Sequence, residues 1–334
     1  MDMTITHANA NREELRYLDF FEKFDSELSI KPGATLNDNS FELTLSERDW
    51  REKPIRIGHH LYIDQTEWGG IVEKIEHDTQ SGTLIISGLN WRGMLIRKVI
   101  EPPPGSAYLV VSGEANAVLS TRIAAFGGVF TADTTDTGVL VSASWRYAQL
   151  LNALETAFEA KGLTVGIHYD AVMQTALVGA RAVVDYSGEI DLSQDYGISI
   201  QSTQGRLDSY NHIIALGAGE LLARDVLHVY RLDDGTITTT TPGWAGSAKD
   251  KMITYDYNNP ESVDDLLRGA EKRLREYAPG NGVELDPGNA DINLDMGDIV
   301  GARDRLTGFT SSARIVGKIL KIDSSGTKIE TKVG

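Results

Sequence analysis

The chain has 334 residues, more than one hydrophobic core usually holds, so two or more domains are expected. Hydrophobic residues at 41% and charged residues at 24% exclude wholesale disorder, and the absence of cysteine excludes disulfide scaffolds, thiolate zinc sites, iron–sulfur clusters and cysteine nucleophiles. Lys plus Arg total 32 against 48 Asp plus Glu, a formal net charge of -16 that argues against a surface gripping nucleic acid through its phosphates.

From Leu15 to Trp91 the pattern is strand-like. Phe41-Glu42-Leu43-Thr44-Leu45 alternates, residues 60–64 follow, and 70–76 runs through the polar turn 78–82 into a partner strand over 83–88, a hairpin. Short strands punctuated by Gly and Asp predict a small antiparallel β-barrel-like domain over 1–104. Met94, Leu95, Lys98 and Val99 predict a short helix within 91–100, and Pro102-Pro103-Pro104-Gly105, which forbids helix and ladder alike, marks the domain's end.

A small α/β domain is expected over 105–181. One helix covers 114–126 and stops at Gly127-Gly128; a second, capped by Ser144, carries Tyr147, Leu150, Leu151, Leu154, Ala157 and Phe158 on one face and precedes a strand at 163–167. Strand texture resumes over 182–257, the first part of a second β-domain. Asn259-Pro260 offers an N-cap and first-turn proline for a helix inserted over 258–284, with Val263, Leu266, Leu267, Ala270 and Leu274 apolar. Strands at 298–300, 313–322 and 327–333 then complete that second domain over 285–334. The expected class is α+β, mostly β: two antiparallel β-barrel-like domains, an intervening α/β domain and an inserted helix.

No motif carries catalytic, cofactor or metal chemistry. Gly217-Ala218-Gly219 follows a strand, yet position 222 is leucine where a dinucleotide fingerprint needs glycine, so it reads as a turn. Gly317-Lys318 precedes isoleucine where a phosphate loop needs Ser or Thr. Asp291-Ile292-Asn293-Leu294-Asp295 starts like a calcium loop, but Met296 holds the glycine position and Ala302 the bidentate one, leaving a half-buried strand as the better reading. His59 and His60, as strand neighbours, point to opposite faces, and no Gly-x-Ser-x-Gly occurs. Carboxylate pairs are too numerous to single one out for glycan hydrolysis. The apolar runs are too short for a bilayer, and the first residues lack a signal-peptide pattern, so neither membrane insertion nor export by that route is expected.

The order of several pieces is more informative. Trp68-Gly69-Gly70-Ile71-Val72, then Thr83-Leu84-Ile85-Ile86-Ser87-Gly88, then Leu95-Ile96-Arg97-Lys98-Val99-Ile100 before the prolines, resembles the first part of siphophage baseplate hub proteins, also called tail-associated or tail-tip hub proteins. Three later pieces agree: Tyr210-Asn211-His212-Ile213-Ile214-Ala215-Leu216-Gly217, the late helix with Arg268-Gly269-Ala270, and Leu294-Asp295-Met296-Gly297-Asp298-Ile299-Val300, similar to the family's D-x-x-x-G-D-I-V. The resemblance implies a non-enzymatic homotrimer at the virion tail tip, assembled in the host cytoplasm. It implies contacts with the distal tail or tail tube protein, the tape measure protein and tip or fibre proteins, and a channel that passes DNA without binding it specifically. An acidic wall suits such a channel, because basic walls would hold the polyanion; solubility alone explains the same charge. Asp185, Glu189, Asp191, Asp195, Asp291, Asp295 and Asp298 are the candidates for channel- or rim-facing positions, with solvated strand faces as the alternative. A tail-tip glycan hydrolase and the hub of a contractile injection machine are the competing functions.

Overall fold

In the computed structural model, the described residues are 3–31, 33–192, 199–203, 209–258, 260, 262–278, 282–286, 294–303, 306 and 310–334. The chain divides into two units, 1–200 with 284–334, and 201–283.

The first unit opens with β1 (Thr6–Ala8), β2 (Glu14–Tyr17), β3 (Lys23–Ser29), β4 (Ser40–Ser46), α1 (Glu47–Glu52), β5 (His60–Tyr62), β6 (Gly69–Asp78), β7 (Thr83–Asn90), α2 (Trp91–Ile96) and β8 (Val99–Ile100). The predicted hairpin is β6–β7, antiparallel with a register shift between Val72 and Lys74. Two glycines of the resemblance owe their place to it. A Cβ on Gly70 would overlap the carbonyl of Leu89, and one on Gly88 the carbonyl of Ile71, so the backbones meet more closely than any side chain allows. The predicted short helix is α2, capped by the Asn90 side chain, which accepts from Gly93 N at 3.0 Å.

Next come β9 (Leu109–Glu114), α3 (Ala115–Phe126), β10 (Phe130–Ala132), β11 (Leu140–Trp145), β12 (Ala148–Gln149), α4 (Leu150–Glu159), β13 (Leu163–Asp170) and β14 (Thr175–Ala182). The helix expected over 114–126 is α3, capped by the Glu114 carboxylate. Ser144 caps nothing: 140–145 pair with β9, and α4 begins only at Leu150. The triple proline does not end the core, because Tyr62, Trp91 and Leu95 pack in one cluster with Leu119, Leu154, Phe158 and Tyr169 from beyond it. Trp91 stacks on Tyr169 with centroids 5.2 Å apart.

β15 (Asp185–Leu192) then leads to β16 (Ser199–Thr203), which pairs with a later strand, β21. The second unit holds β17 (His212–Leu216), β18 (Val226–Arg231), β19 (Ile237–Thr238), β20 (Met252–Asp256) and α5 (Val263–Glu276). Its sheet runs β19-β18-β17-β20, and Leu266, Ala270 and Leu274 of α5 cover Ile213, Ala215 and Val229. The cap of α5 is Ser262, not the expected Asn259-Pro260; its hydroxyl accepts from Asp265 N at 3.2 Å, and Asp264 and Asp265 suit the positive end of the helix.

After β21 (Gly282–Asp286), β22 (Ile299–Arg303), β23 (Thr310–Asp323) and β24 (Gly326–Val333) return to the first unit. The sequence grouped them with 182–257; instead β23 pairs with β3, from Gly317↔Ser29 to Asp323↔Lys23, joining the two ends of the chain. In that pairing Lys318, Leu320 and Ile322 lie opposite Leu28, Ser26 and Phe24, while on its other side β23 pairs with β24 with a register shift between Ile315 and Gly317. The sheet order is β15-β22-β23-β3-β4-β7-β6-β5-β1-β2, with β24 also on β23. The mostly β, α+β class is as expected, but the sheets do not close into barrels. At the β2 end, Lys53 Nζ donates to the Leu15 carbonyl at 2.9 Å, a charge that satisfies an edge group without another strand. Among the described residues no helix is long and apolar enough to cross a membrane.

Gly88→Ala forces the β6 and β7 backbones apart and is expected to cost about 1–3 kcal/mol, read from denaturant unfolding; an unchanged midpoint contradicts the close approach.

Candidate functional site

A buried ionic network in the first unit collects several of the motif residues. Arg92 of α2 is 0% exposed. It ion-pairs with Glu67, donates from Nη1 to Glu155 of α4 at 3.1 Å and from Nη2 to the Val165 carbonyl at 2.8 Å. Glu155 also accepts from Thr164 Oγ1 at 3.0 Å and Val165 N at 3.2 Å. Burial pushes its carboxyl above the usual range, against the opposing pull of Arg92, Thr164 and Arg314. Arg314 of β23 lies 3.6 Å from Glu155 and 2.9 Å from Glu159. Lys318, on the same strand, is held below the usual lysine range by burial, while Asp295, Glu67 and Asp298 act in the opposite direction.

The motif around Gly297 plugs into this network. Gly297 has φ +90, and a Cβ there would lie 2.8 Å from Thr164 Oγ1, so both conformation and space demand glycine. Its N–H donates to the Ile315 carbonyl at 2.8 Å, and its own carbonyl accepts from Arg314 Nε at 3.3 Å. Asp298, a predicted channel-facing residue, is instead 2% exposed. Its carboxylate pairs with Arg181 at 2.9 Å and accepts from Val184 N at 3.2 Å and Asp295 N at 3.0 Å, which closes the turn onto the lead-in to β15.

The other acidic candidates divide differently. Asp185 is exposed at the start of β15, with its carboxyl held below the usual range by the Ser187 hydroxyl and N–H. Asp295 is exposed beside the buried Leu294 and Met296. Glu189 and Asp191 belong to β15, where Asp191 pairs in register with Gly301, and their side chains lie outside the described residues. Asp195 and Asp291 lie wholly outside them.

Two histidine arrangements escaped the sequence reading. His7 is 0% exposed, and its Nε2 lies 2.8 Å from His59 Nδ1; its Nδ1 is buried without a hydrogen-bond partner. Burial, then His59, Arg16 and Lys53, lower its pKa to about 4. His60 turns elsewhere, donating from Nδ1 to the Asn9 carbonyl at 3.1 Å and stacking on Trp91. In the second unit, His212 is 3% exposed and donates from Nδ1 to Asp250 at 2.8 Å; its Nε2 lies 2.8 Å from His228 Nδ1. Burial raises the Asp250 carboxyl, but the Gly246 N–H and His212 outweigh it and hold the group below the usual range. Such a carboxylate–imidazole–imidazole chain fixes tautomers, and here it pins the segment carrying Asp250 to the sheet. Partners 16 and 38 residues apart leave no local pattern to read. Among the described residues, no group of three or more His, Asp or Glu could hold a metal ion.

Comparison of the whole fold with solved structures gives matches along nearly the full chain. A 43 kDa tail protein of prophage MuSo2 from Shewanella oneidensis is 12% identical at a TM-score of 0.56, covering 99% of this chain and 98% of that one. The chain has the fold of phage tail proteins. A tail protein from Neisseria meningitidis MC58 (13% identity, TM-score 0.51, 99% and 95% coverage) and prophage tail protein gp18 from Listeria monocytogenes EGD-e (12%, 0.51, 98% and 94%) match likewise. No protein-family model and no curated protein sequence matches it. The resemblance to tail-associated proteins is thus borne out as a likeness of fold, spanning both units of this tail-protein-like chain.

Arg92→Met leaves Glu155 buried with its main partner gone and is expected to destabilise the first unit by about 3–5 kcal/mol in chemical unfolding, with Arg92→Met/Glu155→Leu recovering part of the loss; equal losses in both variants contradict the pairing. Because the folded pKa of His7 lies below the ordinary 6.5, its contribution to stability is present above pH 6.5 and lost as pH falls through about 4. His7→Phe should flatten that part of the profile in pH-dependent thermal unfolding, and an unaltered slope contradicts it.

Proposed function

We propose that the chain is a structural, non-enzymatic tail-tip component, a baseplate hub whose three copies form a ring continuing the tail channel. It connects the tail tube or distal tail protein above to tip or fibre proteins below, beside the tape measure protein, and resides in the virion after assembly in the host cytoplasm. The observation that carries this reading is the match of nearly the entire chain to nearly the entire length of three tail proteins, two of them from prophages. The order of motifs along the sequence supports the hub position in particular, and the net charge of -16 supports a passage that releases DNA.

Of the acidic candidates, Asp185 and Asp295 keep exposed carboxylates and are proposed at the channel or its rim, with Glu189, Asp191, Asp195 and Asp291 following them in the same acidic stretches. Asp298 leaves this group, since its buried ion pair with Arg181 gives it a structural role.

Negative-stain electron microscopy of the purified protein at high concentration is expected to show threefold rings with a central hole. Rings of Asp185→Asn/Asp295→Asn should assemble equally well, while phage carrying them ejects DNA more slowly. Compact monomers at every concentration contradict the ring, and unchanged ejection contradicts the acidic wall.

A further inference from the structure

In the second unit the order β19-β18-β17-β20 puts β19 and β20 at opposite edges of the sheet, so residues 239–251 between them form a strap that runs back across it. Alternation along the strands decides which face it crosses. Ile213, Ala215 and Val229 point to α5, whereas His212, His228 and Tyr230 point the other way, and there the strap lies. Trp244 meets the Tyr230 ring edge-on at 6.0 Å, and Asp250 accepts from His212 Nδ1 at 2.8 Å. Nearer β20, Asn211 donates to the Lys249 carbonyl at 2.9 Å and accepts from Lys251 N at 2.8 Å. Every strap residue is exposed or half-buried, while the Asp250 carboxylate turns inward with 3% of its side chain exposed. A segment with so little buried apolar surface opens at a lower free energy than the sheet beneath it, so its attachment depends on these few contacts.

The contact at Asp250 depends on the number of protons in the chain behind it. His212 Nε2 and His228 Nδ1 are 2.8 Å apart, a distance that holds one hydrogen between two ring nitrogens. His212 gives its other hydrogen to Asp250, and the outer nitrogen of the exposed His228 exchanges protons with solvent. A first added proton at that outer nitrogen leaves every bond in place and balances the carboxylate. A second makes both rings imidazolium, sets two N–H groups against each other and replaces the bond with repulsion. The other neighbours do not relieve it. Tyr230 stacks on His212 at 4.2 Å, Met252 is the uncharged register partner on β20, and Lys249 and Lys251, which flank Asp250, are exposed. Burial opposes the charge of Asp250, but the Gly246 N–H, at 2.7 Å, and His212 hold the carboxyl below its usual range. Its own contribution is therefore present above the ordinary 3.8 and is lost only as pH falls below that value.

We propose that the strap is a proton-operated latch, held on the sheet near neutral pH and lifted when both imidazoles are charged, before the sheet itself opens. Lifting adds the buried Tyr230 and His212 to the exposed Val226 and Met252 of the same face. The inference rests on the second unit alone and holds whatever the assembly of the chain.

Hydrogen exchange of the full chain, read by mass spectrometry and corrected for the intrinsic effect of pH on exchange, tests it. From about pH 7.5 to about pH 4.5, across the range in which imidazoles become charged, a peptide covering 239–251 should lose protection about ten-fold or more. Peptides from β17, β18 and α5 should keep theirs. His228→Asn places an amide that donates to His212 Nε2 and, turned over, accepts from the imidazolium, so its strap should stay protected to lower pH. Asp250→Asn removes the countercharge, and its strap should be less protected already at neutral pH. Strap protection that does not change with pH, a strap and sheet that open together, or a His228→Asn strap that opens at the same pH as the unaltered protein overturns the latch.

Discussion

The arrangement of the first unit depends on Arg92 being buried as a charge. An ion taken out of water is tolerated only where several partners converge on it, and removing one leaves the others uncompensated. Arg92 therefore requires Glu67 from the loop before β6, Glu155 from α4 and the Val165 carbonyl of β13 at the same place. Glu155 in turn engages Thr164 and, through Arg314, strand β23, so one cluster fixes N-terminal, middle and C-terminal segments relative to each other. Apolar packing of Trp91, Tyr62 and Tyr169 beside it gains from any close fit; the ionic cluster accepts only one.

That distinction explains what could be read from the sequence. The β6–β7 hairpin announces itself by alternation and a Gly-ended turn, and α3 by its spacing and Gly127-Gly128 stop, because these are local effects. The glycines of the family-like motifs were visible as letters, while their reason lies across strands, in the carbonyls of Ile71 and Leu89 and the hydroxyl of Thr164. Long-range pairing was beyond reach. β23 meets β3 from almost 300 residues away, so a discontinuous unit looked like two domains, and a triple proline with one core cluster on both sides of it looked like a boundary.

The acidic residues show the same limit in the candidate site. Alternation around Leu294 and Met296 correctly suggested an exposed Asp295, yet it said nothing about Asp298, whose burial follows from Arg181 over a hundred residues earlier. The Asp250–His212–His228 chain left no trace in spacing.

The most direct test of the proposed role is cryo-electron microscopy of intact particles that contain this chain, with density assigned at the resolution of its strands. Three copies around the tail axis, between the tube and the tip, are the predicted result. Particles complete without the chain, or density for it away from the tail axis, would contradict the hub assignment.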